Sequence, residues 1–161
     1  MPVTRYSHGP ISPGGEERRC HPRSISVSIR RPIGEVFAFV ANGENANRWR
    51  PGVLDVSHQS GEGLGAIYRQ GVKGPGGRRI PADYEITAFE PDRRIAFQAI
   101  AGPVRPTGEY RFTPDGDGTR VDFALDAEVT GWKRLLMGRA VQSTMDAEMR
   151  NLETLKSLLE A

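Results

Sequence analysis

The feature that most constrains the fold is a change in the spacing of apolar residues near residue 131. Before this point, short segments alternate apolar with polar residues between turns rich in Gly, Pro and Asp, a pattern typical of half-buried antiparallel strands. After it, from Gly131 to Glu160, apolar residues recur every three or four positions, which predicts one long amphipathic helix. A curved sheet can wrap around such a helix, but one helix cannot fill the inner face of so many strands. The sequence therefore predicts free space between sheet and helix.

The predicted helix carries its apolar residues on one side and its charged residues on the other. The apolar stripe consists of Met137, Val141, Met145, Met149, Leu152, Leu155 and Leu159. Its three methionines have flexible side chains that adapt to guests of different shape, although methionines at this spacing more often belong to an ordinary core.

Two short helices are predicted after the first strand. In SISVSI, residues 24–29, serines alternate with apolar residues as in a half-buried strand; Pro32 then occupies a favoured first-turn position, and GEVFAFVA continues the helix. NGEN ends this helix, and ENANRW forms a second helical turn before Pro51. Trp49 lies in this second turn, where no local apolar face is available to cover it. We therefore expect residues distant in sequence to bury Trp49.

Strand alternation assigns side chains to the two faces of the sheet. Tyr84 alternates with Asp83 and Glu85, so the tyrosine faces inward and the two acids face water, which argues against catalysis by paired carboxylates. The residues that we expect to contact a ligand are Tyr84, Ile86, Phe97, Tyr110, Phe112 and Phe123 of the sheet, with Met137, Val141, Met145 and Met149 of the helix. The two tyrosine hydroxyls would orient the ligand, and core packing accounts for them equally well.

The pattern leaves the phase of the strand at residues 68–70 open, so one or two of Tyr68, Arg69 and Gln70 join the inner face.

His58 is in phase with Leu54, and three interpretations apply to it: a hydrogen-bonded core imidazole, a surface residue at a strand end, or a general base. No arrangement of nucleophile and base emerges from these residues, so the catalytic residues stay unknown.

Glycine-rich segments at three places resemble ligand loops but fit turns better. GEGLG lies between two antiparallel strands, whereas a dinucleotide loop needs a parallel strand and a helix. KGPGGRR lacks the GK[ST] ending of a phosphate loop, and DGDGT is followed by strand residues where calcium ligands should continue. Cys20 and His21 lack the further ligands that a structural metal needs. We predict neither a metal nor a cofactor.

Composition and charge exclude several classes of protein. The 161 residues suffice for one domain, and the net charge of +2 is scattered, unlike the clustered basic face that nucleic-acid binding needs. Cys20 is the only cysteine, which excludes an intrachain disulfide and fits a reducing compartment. There is no membrane-spanning apolar run and no signal-peptide core, so we expect a cytoplasmic protein. Residues 1–23 lack periodicity and predict a flexible tail before one domain at residues 24–161.

In order along the chain, several segments resemble the SRPBCC superfamily, which includes START domains and the polyketide cyclase/dehydrase and lipid transport proteins. The segments are RRPIGEVFAFVANGENANRWRPGV, GEGLGAIYR, YEITAFEPDRRIAF, GEYRFTP followed by GTRVDF, and NLETLKSLLE. The resemblance covers about residues 24–160. It implies the α+β helix-grip fold: a curved antiparallel sheet of about seven strands around a long C-terminal helix, with two short helices after the first strand. In this superfamily the tryptophan packs where the short helices support the long one, which implies an anchoring role for Trp49.

The resemblance implies three functions that the residues alone do not separate. The first is binding of a hydrophobic small molecule, such as a lipid, a polyketide or an aromatic metabolite, between the sheet and the helix. The second is a cyclase, aromatase or dehydratase that uses the same cavity, for which the available polar residues are Tyr84, Tyr110, His58 and Arg69. The third is a protein-interaction role, which predicts an exposed apolar patch on the short helices or the tail. The oligomeric state stays open.

Overall fold

The fold combines one antiparallel sheet with a long C-terminal helix. The computed structural model of the protein describes residues 24–102, 104–126 and 138–161, except for the side chains of residues 138–142 and 144. Within these ranges the strands are β1 Ser24–Ile29, β2 Val53–Ser60, β3 Ile67–Lys73, β4 Arg79–Pro81, β5 Tyr84–Glu90, β6 Arg94–Ala99, β7 Thr107–Asp115 and β8 Gly118–Asp126. The α-helices are α1 Ile33–Ala41, α2 Ala46–Trp49 and α3 Gly138–Glu160, and 3₁₀ turns occupy Gly43–Asn45 and Pro75–Gly77.

Strand order brings the predicted inward-facing residues into one row. The described strands form a single sheet in the order β1-β8-β7-β6-β5-β3-β2, and the short strand β4 pairs with β3. Every pair is antiparallel, with Ile86 opposite Phe97 and Tyr110 opposite Phe123. Because directly opposed residues share a face, the alternation in the sequence carries over to the whole sheet. The helix-grip architecture is confirmed, and the described sheet has eight strands because β4 joins the seven expected.

The turn between β2 and β3 shows why GEGLG is rich in glycine. Gly61, Gly63 and Gly65 have φ angles of +73°, +59° and +83°, in the left-handed region that side chains disfavour. The segment connects two antiparallel strands, as expected of a turn rather than a nucleotide-binding loop.

Trp49 is buried at the end of α2, where α2 meets α3. It is 4% exposed, and its ring packs edge-on against Tyr110 at a centroid separation of 6.2 Å. Tyr110 lies 61 positions later in the chain, so the tryptophan is covered by residues distant in sequence. This was expected because no local apolar face was available to cover it. Trp49 therefore belongs to the main core.

The terminal helix packs its apolar stripe into the core formed by the sheet. Leu152 and Leu155 are fully buried in the same cluster as Val121 and Phe123, and α3 runs beside β1 and α2. The described helix begins at Gly138, so the segment predicted to start it at Gly131 lies outside the described residues. In the part of the chain that the structure describes, no helix is both long and apolar enough to cross a membrane.

Candidate functional site

A row of aromatic rings crosses the inner face of the sheet. Tyr68 stacks on Tyr84 at 5.1 Å, and Tyr84 meets the edge of Phe97 at 5.6 Å. Phe97 lies 6.3 Å from Tyr110, which stacks on Phe123 at 4.5 Å. These five residues come from β3, β5, β6, β7 and β8, so the row spans most of the sheet. The row gives the inner face an apolar surface. It also contributes the hydroxyls of Tyr84 and Tyr110, two residues that were predicted to contact a ligand.

Burial is uneven along this row. Tyr110 and Phe123 are 5% and 0% exposed, whereas Tyr84 and Phe97 are only half-buried although they face inward. On the helix, Met149 is also half-buried. The accessible surface of the inner residues is therefore concentrated at β5, β6 and the middle of α3.

The structure describes eight of the ten residues predicted to contact a ligand. Ile86, Phe112 and Met145 are buried alongside Tyr110 and Phe123, and the others described are Tyr84, Phe97 and Met149. Met137 and the side chain of Val141 lie outside the described residues, so their part of the prediction is open.

An ion pair joins α2 to the terminal helix. Arg50 directly follows α2, and its Nη2 donates to Oε1 of Glu148 across 2.8 Å. The other carboxylate oxygen, Oε2, accepts from Nδ2 of Asn151 at 3.1 Å. The two charged side chains are 20% and 11% exposed, and Glu148 is the only buried acidic residue in the described part of the chain. A charge pair therefore lies inside an otherwise apolar interior.

Electrostatics keep Arg50 charged and the neighbouring phenols neutral. Burial lowers the pKa of Arg50, but the interactions with Glu148, Tyr110 and Tyr84 together outweigh this effect, and the pKa lies above its ordinary value. Burial raises the pKa of both Tyr84 and Tyr110, and the positive charge of Arg50 opposes this rise only in part. At neutral pH the tyrosines therefore act as hydrogen-bond donors or acceptors, not as phenolate bases.

Several polar atoms of this region have no partner among the described residues. Nε of Arg50 and Oε1 of Gln70 are buried without a hydrogen bond. The hydroxyls of Tyr84 and Tyr110 make no hydrogen bond with any described group. The hydroxyl of Tyr84 and the ring of Tyr68 lie so close to Gly43 that an added Cβ would collide with both. Buried polar groups usually find partners, which makes these atoms candidates for contact with a ligand or with water.

The remaining candidates from the sequence divide between the inner face and the surface. Tyr68 and Gln70 are buried on the inner face, and Arg69 between them is exposed, which settles the phase of β3. His58 is exposed near the end of β2, where its Nε2 lies 2.6 Å from the carbonyl oxygen of Gly61 and its ring packs against Tyr68. Its environment is that of a surface residue at the end of a strand.

An open groove of about 360 Å³ lies beside the turn between β2 and β3. Its lining includes Glu44, His58, Glu62, Tyr68 and Phe89. Tyr68 belongs both to this groove and to the aromatic row, because it stacks on Tyr84. The groove is thus adjacent to the inner face but lies on the outside of the molecule.

Sequence reasoning missed the ion pair, although one signal was present. Glu148 lies three residues after Met145 and four before Leu152, so it falls on the apolar stripe of the helix. A charged residue at such a position needs a buried partner. Nothing in the sequence identified that partner as Arg50, which lies 98 positions away.

Solved structures with the same fold include proteins of different origins. TTHA0849 from Thermus thermophilus superposes with a TM-score of 0.72 at 21% identity, over 85% of this chain and 95% of that one. The di-domain ARO/CYC StfQ from the steffimycin biosynthetic pathway gives 0.71 at 15% identity, over 85% of this chain and 49% of that one. Ginseng major latex-like protein 151 from Panax ginseng gives 0.65 at 14% identity, over 86% and 96%. At these identities the likeness shows the fold alone.

Sequence comparison assigns the family. No curated protein matches the chain significantly. The family model described as polyketide cyclase / dehydrase and lipid transport matches residues 23–157, which is most of the chain and includes the whole described sheet. The match agrees with the helix-grip architecture and with the ordered motifs of the sequence. The chain therefore belongs to the polyketide cyclase/dehydrase and lipid transport family.

Proposed function

We propose that the protein binds a hydrophobic small molecule between the inner face of its sheet and helix α3. The observation that carries this proposal is the set of polar atoms without described partners on an otherwise apolar inner face. The buried atoms without a described partner are Arg50 Nε and Gln70 Oε1. The phenol rings of Tyr84 and Tyr110 belong to the aromatic row on the same face. Apolar walls with a few orienting polar groups are typical of small-molecule sites. Apolar contact supplies the affinity, at about 25 cal/mol per Å² removed from water.

The half-buried members of the predicted set are the ones that we expect to touch the ligand. Tyr84, Phe97 and Met149 face inward yet keep accessible surface. Phe112 and Phe123 are almost completely buried, so in this proposal they support the wall rather than contact the guest. Lipids, polyketides and aromatic metabolites all remain within this ligand class, which agrees with the family description and with the likeness to the ARO/CYC StfQ.

The polar side chains of the site support binding better than catalysis. Of the four residues considered for a cyclase or dehydratase, His58 and Arg69 are exposed to solvent. The other two, Tyr84 and Tyr110, have raised pKa values because they are buried, so neither serves as a base at neutral pH. Donation of a hydrogen bond to a bound oxygen is the role that suits them.

A protein-interaction role receives less support from the described surface. The large exposed apolar residues there are Leu54, Leu64, Ile100 and Val104. They lie on β2, in the turn after it and after β6, rather than on the short helices. The tail, where such a patch was also expected, lies outside the described residues. Single exposed apolar residues are common on protein surfaces and do not indicate a partner.

The test is a binding titration with a neutral fluorescent naphthalene ketone, 6-acetyl-2-dimethylaminonaphthalene. We expect saturable one-to-one binding with a blue-shifted emission. Met149→Trp places a large ring in the proposed site and should weaken binding by at least about tenfold. Glu153→Trp adds the same ring at an exposed position of the same helix and should leave the affinity unchanged. Absence of saturable binding, or equal binding by the two variants, would contradict the proposal.

A further inference from the structure

The charge balance at Arg50 restricts what can bind beside it. Both oxygens of the Glu148 carboxylate are engaged, one by Arg50 and the other by Asn151. Arg50 in contrast retains a buried Nε–H for which no described group is a partner. The pair therefore has zero net charge but an unused hydrogen-bond donor.

We propose that Glu148 is a specificity-determining residue that limits the ligand to uncharged compounds bearing a carbonyl or similar oxygen, and excludes carboxylates such as fatty acids. This inference rests on the proposed function and adds the chemical class of the ligand. A neutral oxygen can accept a hydrogen bond from Arg50 or a nearby phenol without changing the charge of the interior. A carboxylate would bring a second negative charge close to Glu148, in a region where water screens the repulsion less than at the surface.

Other groups at the site point the same way. Tyr84 and Tyr110 stay protonated and are available as donors to a neutral oxygen. Among the described residues no second buried cation accompanies Arg50, so the positive charge that a carboxylate would need is already neutralised. Glu148 is thus the residue that decides between the two ligand classes.

Two probes with one ring system provide the test. The methyl ketone 6-acetyl-2-dimethylaminonaphthalene is neutral, and 6-dimethylamino-2-naphthoate carries a carboxylate on the same skeleton. We expect the wild-type protein to bind the ketone at least about tenfold more tightly than the naphthoate, since like charges at close range cost substantial binding energy. Glu148→Gln keeps an acceptor oxygen for Arg50 but removes the negative charge. It should tighten naphthoate binding by at least about tenfold and change ketone binding by less than about threefold.

The control is Glu153→Gln, which removes the same charge from the exposed side of the same helix and should leave the ratio of the two affinities unchanged. Equal binding of the probes by the wild-type protein, or an unchanged ratio in Glu148→Gln, would overturn the inference while leaving the proposed function intact. If the wild-type protein binds neither probe, both this inference and the proposed function are wrong. Circular dichroism checks that Glu148→Gln is folded. If it is not, the ratio of ketone to naphthoate affinity in the wild-type protein tests the inference by itself.

Discussion

Arg50 carries a positive charge into a largely apolar region of the interior. Its guanidinium pairs with Glu148 and lies 5.9 Å from the centre of the Trp49 ring, within the range of a cation–π contact. Taking two charges out of water is costly, so such a pair adds little net stability compared with apolar residues of similar volume. The pair therefore fits a role in binding better than a role in folding.

The ion pair leads to a stability prediction. Arg50→Met leaves Glu148 buried without its charged partner, which typically costs about 3–5 kcal/mol in the free energy of unfolding. The double variant Arg50→Met with Glu148→Leu should recover most of that loss, because no charge is left uncompensated. Urea unfolding of the wild type, the two single variants and the double variant measures this. A loss below about 1 kcal/mol in the single variant would show that the pair is as weak as a surface salt bridge.

Tyr110 leads to a prediction at high pH. Because burial raises its pKa in the folded protein, the unfolded chain loses this proton first, near the ordinary value of 10.0. The stability that the neutral phenol contributes is complete below that pH and is lost as the pH rises toward the folded pKa, at about 1.4 kcal/mol per pH unit. Tyr110→Phe removes this term, so its stability relative to wild type should increase above about pH 10. Thermal melting between about pH 8 and 12 measures the difference; parallel curves would contradict the assignment.

Single residues were predictable from the sequence only where a local pattern fixed their direction. Alternation along β5 and β7 placed Tyr84 and Tyr110 on the inner face, and both are there. Arg50 gave no such signal, since it follows a helix of only four residues and faces its partner through tertiary packing alone. Burial of a long charged side chain depends on what closes over it, and local sequence does not carry that information.

At the scale of elements, the C-terminal end and the middle of α3 are held by different contacts. Near its C-terminus, Nε of Arg31 donates to the carbonyl oxygen of Leu159 at 2.6 Å, and Oε1 of Glu160 accepts from the backbone N–H of Arg30 at 2.7 Å. Lys156 donates to the carbonyl oxygen of Ser28 at 2.8 Å. These contacts fix the helix end to the connection between β1 and α1. Further toward the N-terminus, the ion pair with Arg50 ties the helix to the end of α2.

Adjacent arginines allow a matched test of this attachment. Arg31→Ala removes a donor to the last helical carbonyls and should lower the free energy of unfolding by about 1–2 kcal/mol, with faster amide exchange in the last turn of α3. Arg30→Ala keeps the backbone N–H that Glu160 accepts and removes only a side chain that is 88% exposed. Its effect should stay below about 0.5 kcal/mol. Equal effects of the two changes would show that the Arg31 contact does not hold the helix end.

Elements were predictable where periodicity was long and unpredictable where it was short. The pattern predicted the first strand at residues 24–29 and a terminal helix that ends at Glu160, and the structure has both. The predicted helix start at Gly131 lies outside the described residues. Strand β4 has only three residues and includes Pro81, so it carries neither alternation nor strand propensity and exists because it pairs with β3. Glycines with positive φ mark the turn after β2, and this local requirement is visible in the sequence.

At the scale of the whole molecule, the change of apolar period was sufficient to predict a sheet against a helix. The order of the strands was not predicted, because hairpins alone do not say which strand lies beside β1. In the structure that strand is β8, the last described strand in chain order. The ligand class could not be read from the pattern, since it depends on how Arg50 and Glu148 meet across 98 positions.

The most direct test of the central claim is a crystal structure of the protein with 6-acetyl-2-dimethylaminonaphthalene. We predict density for the ring system between α3 and the sheet, against Tyr84, Phe97 and Met149, with the carbonyl oxygen within hydrogen-bond distance of Arg50 or a tyrosine hydroxyl. Density confined to the outer groove beside the turn between β2 and β3, with the inner face unoccupied, would contradict the account.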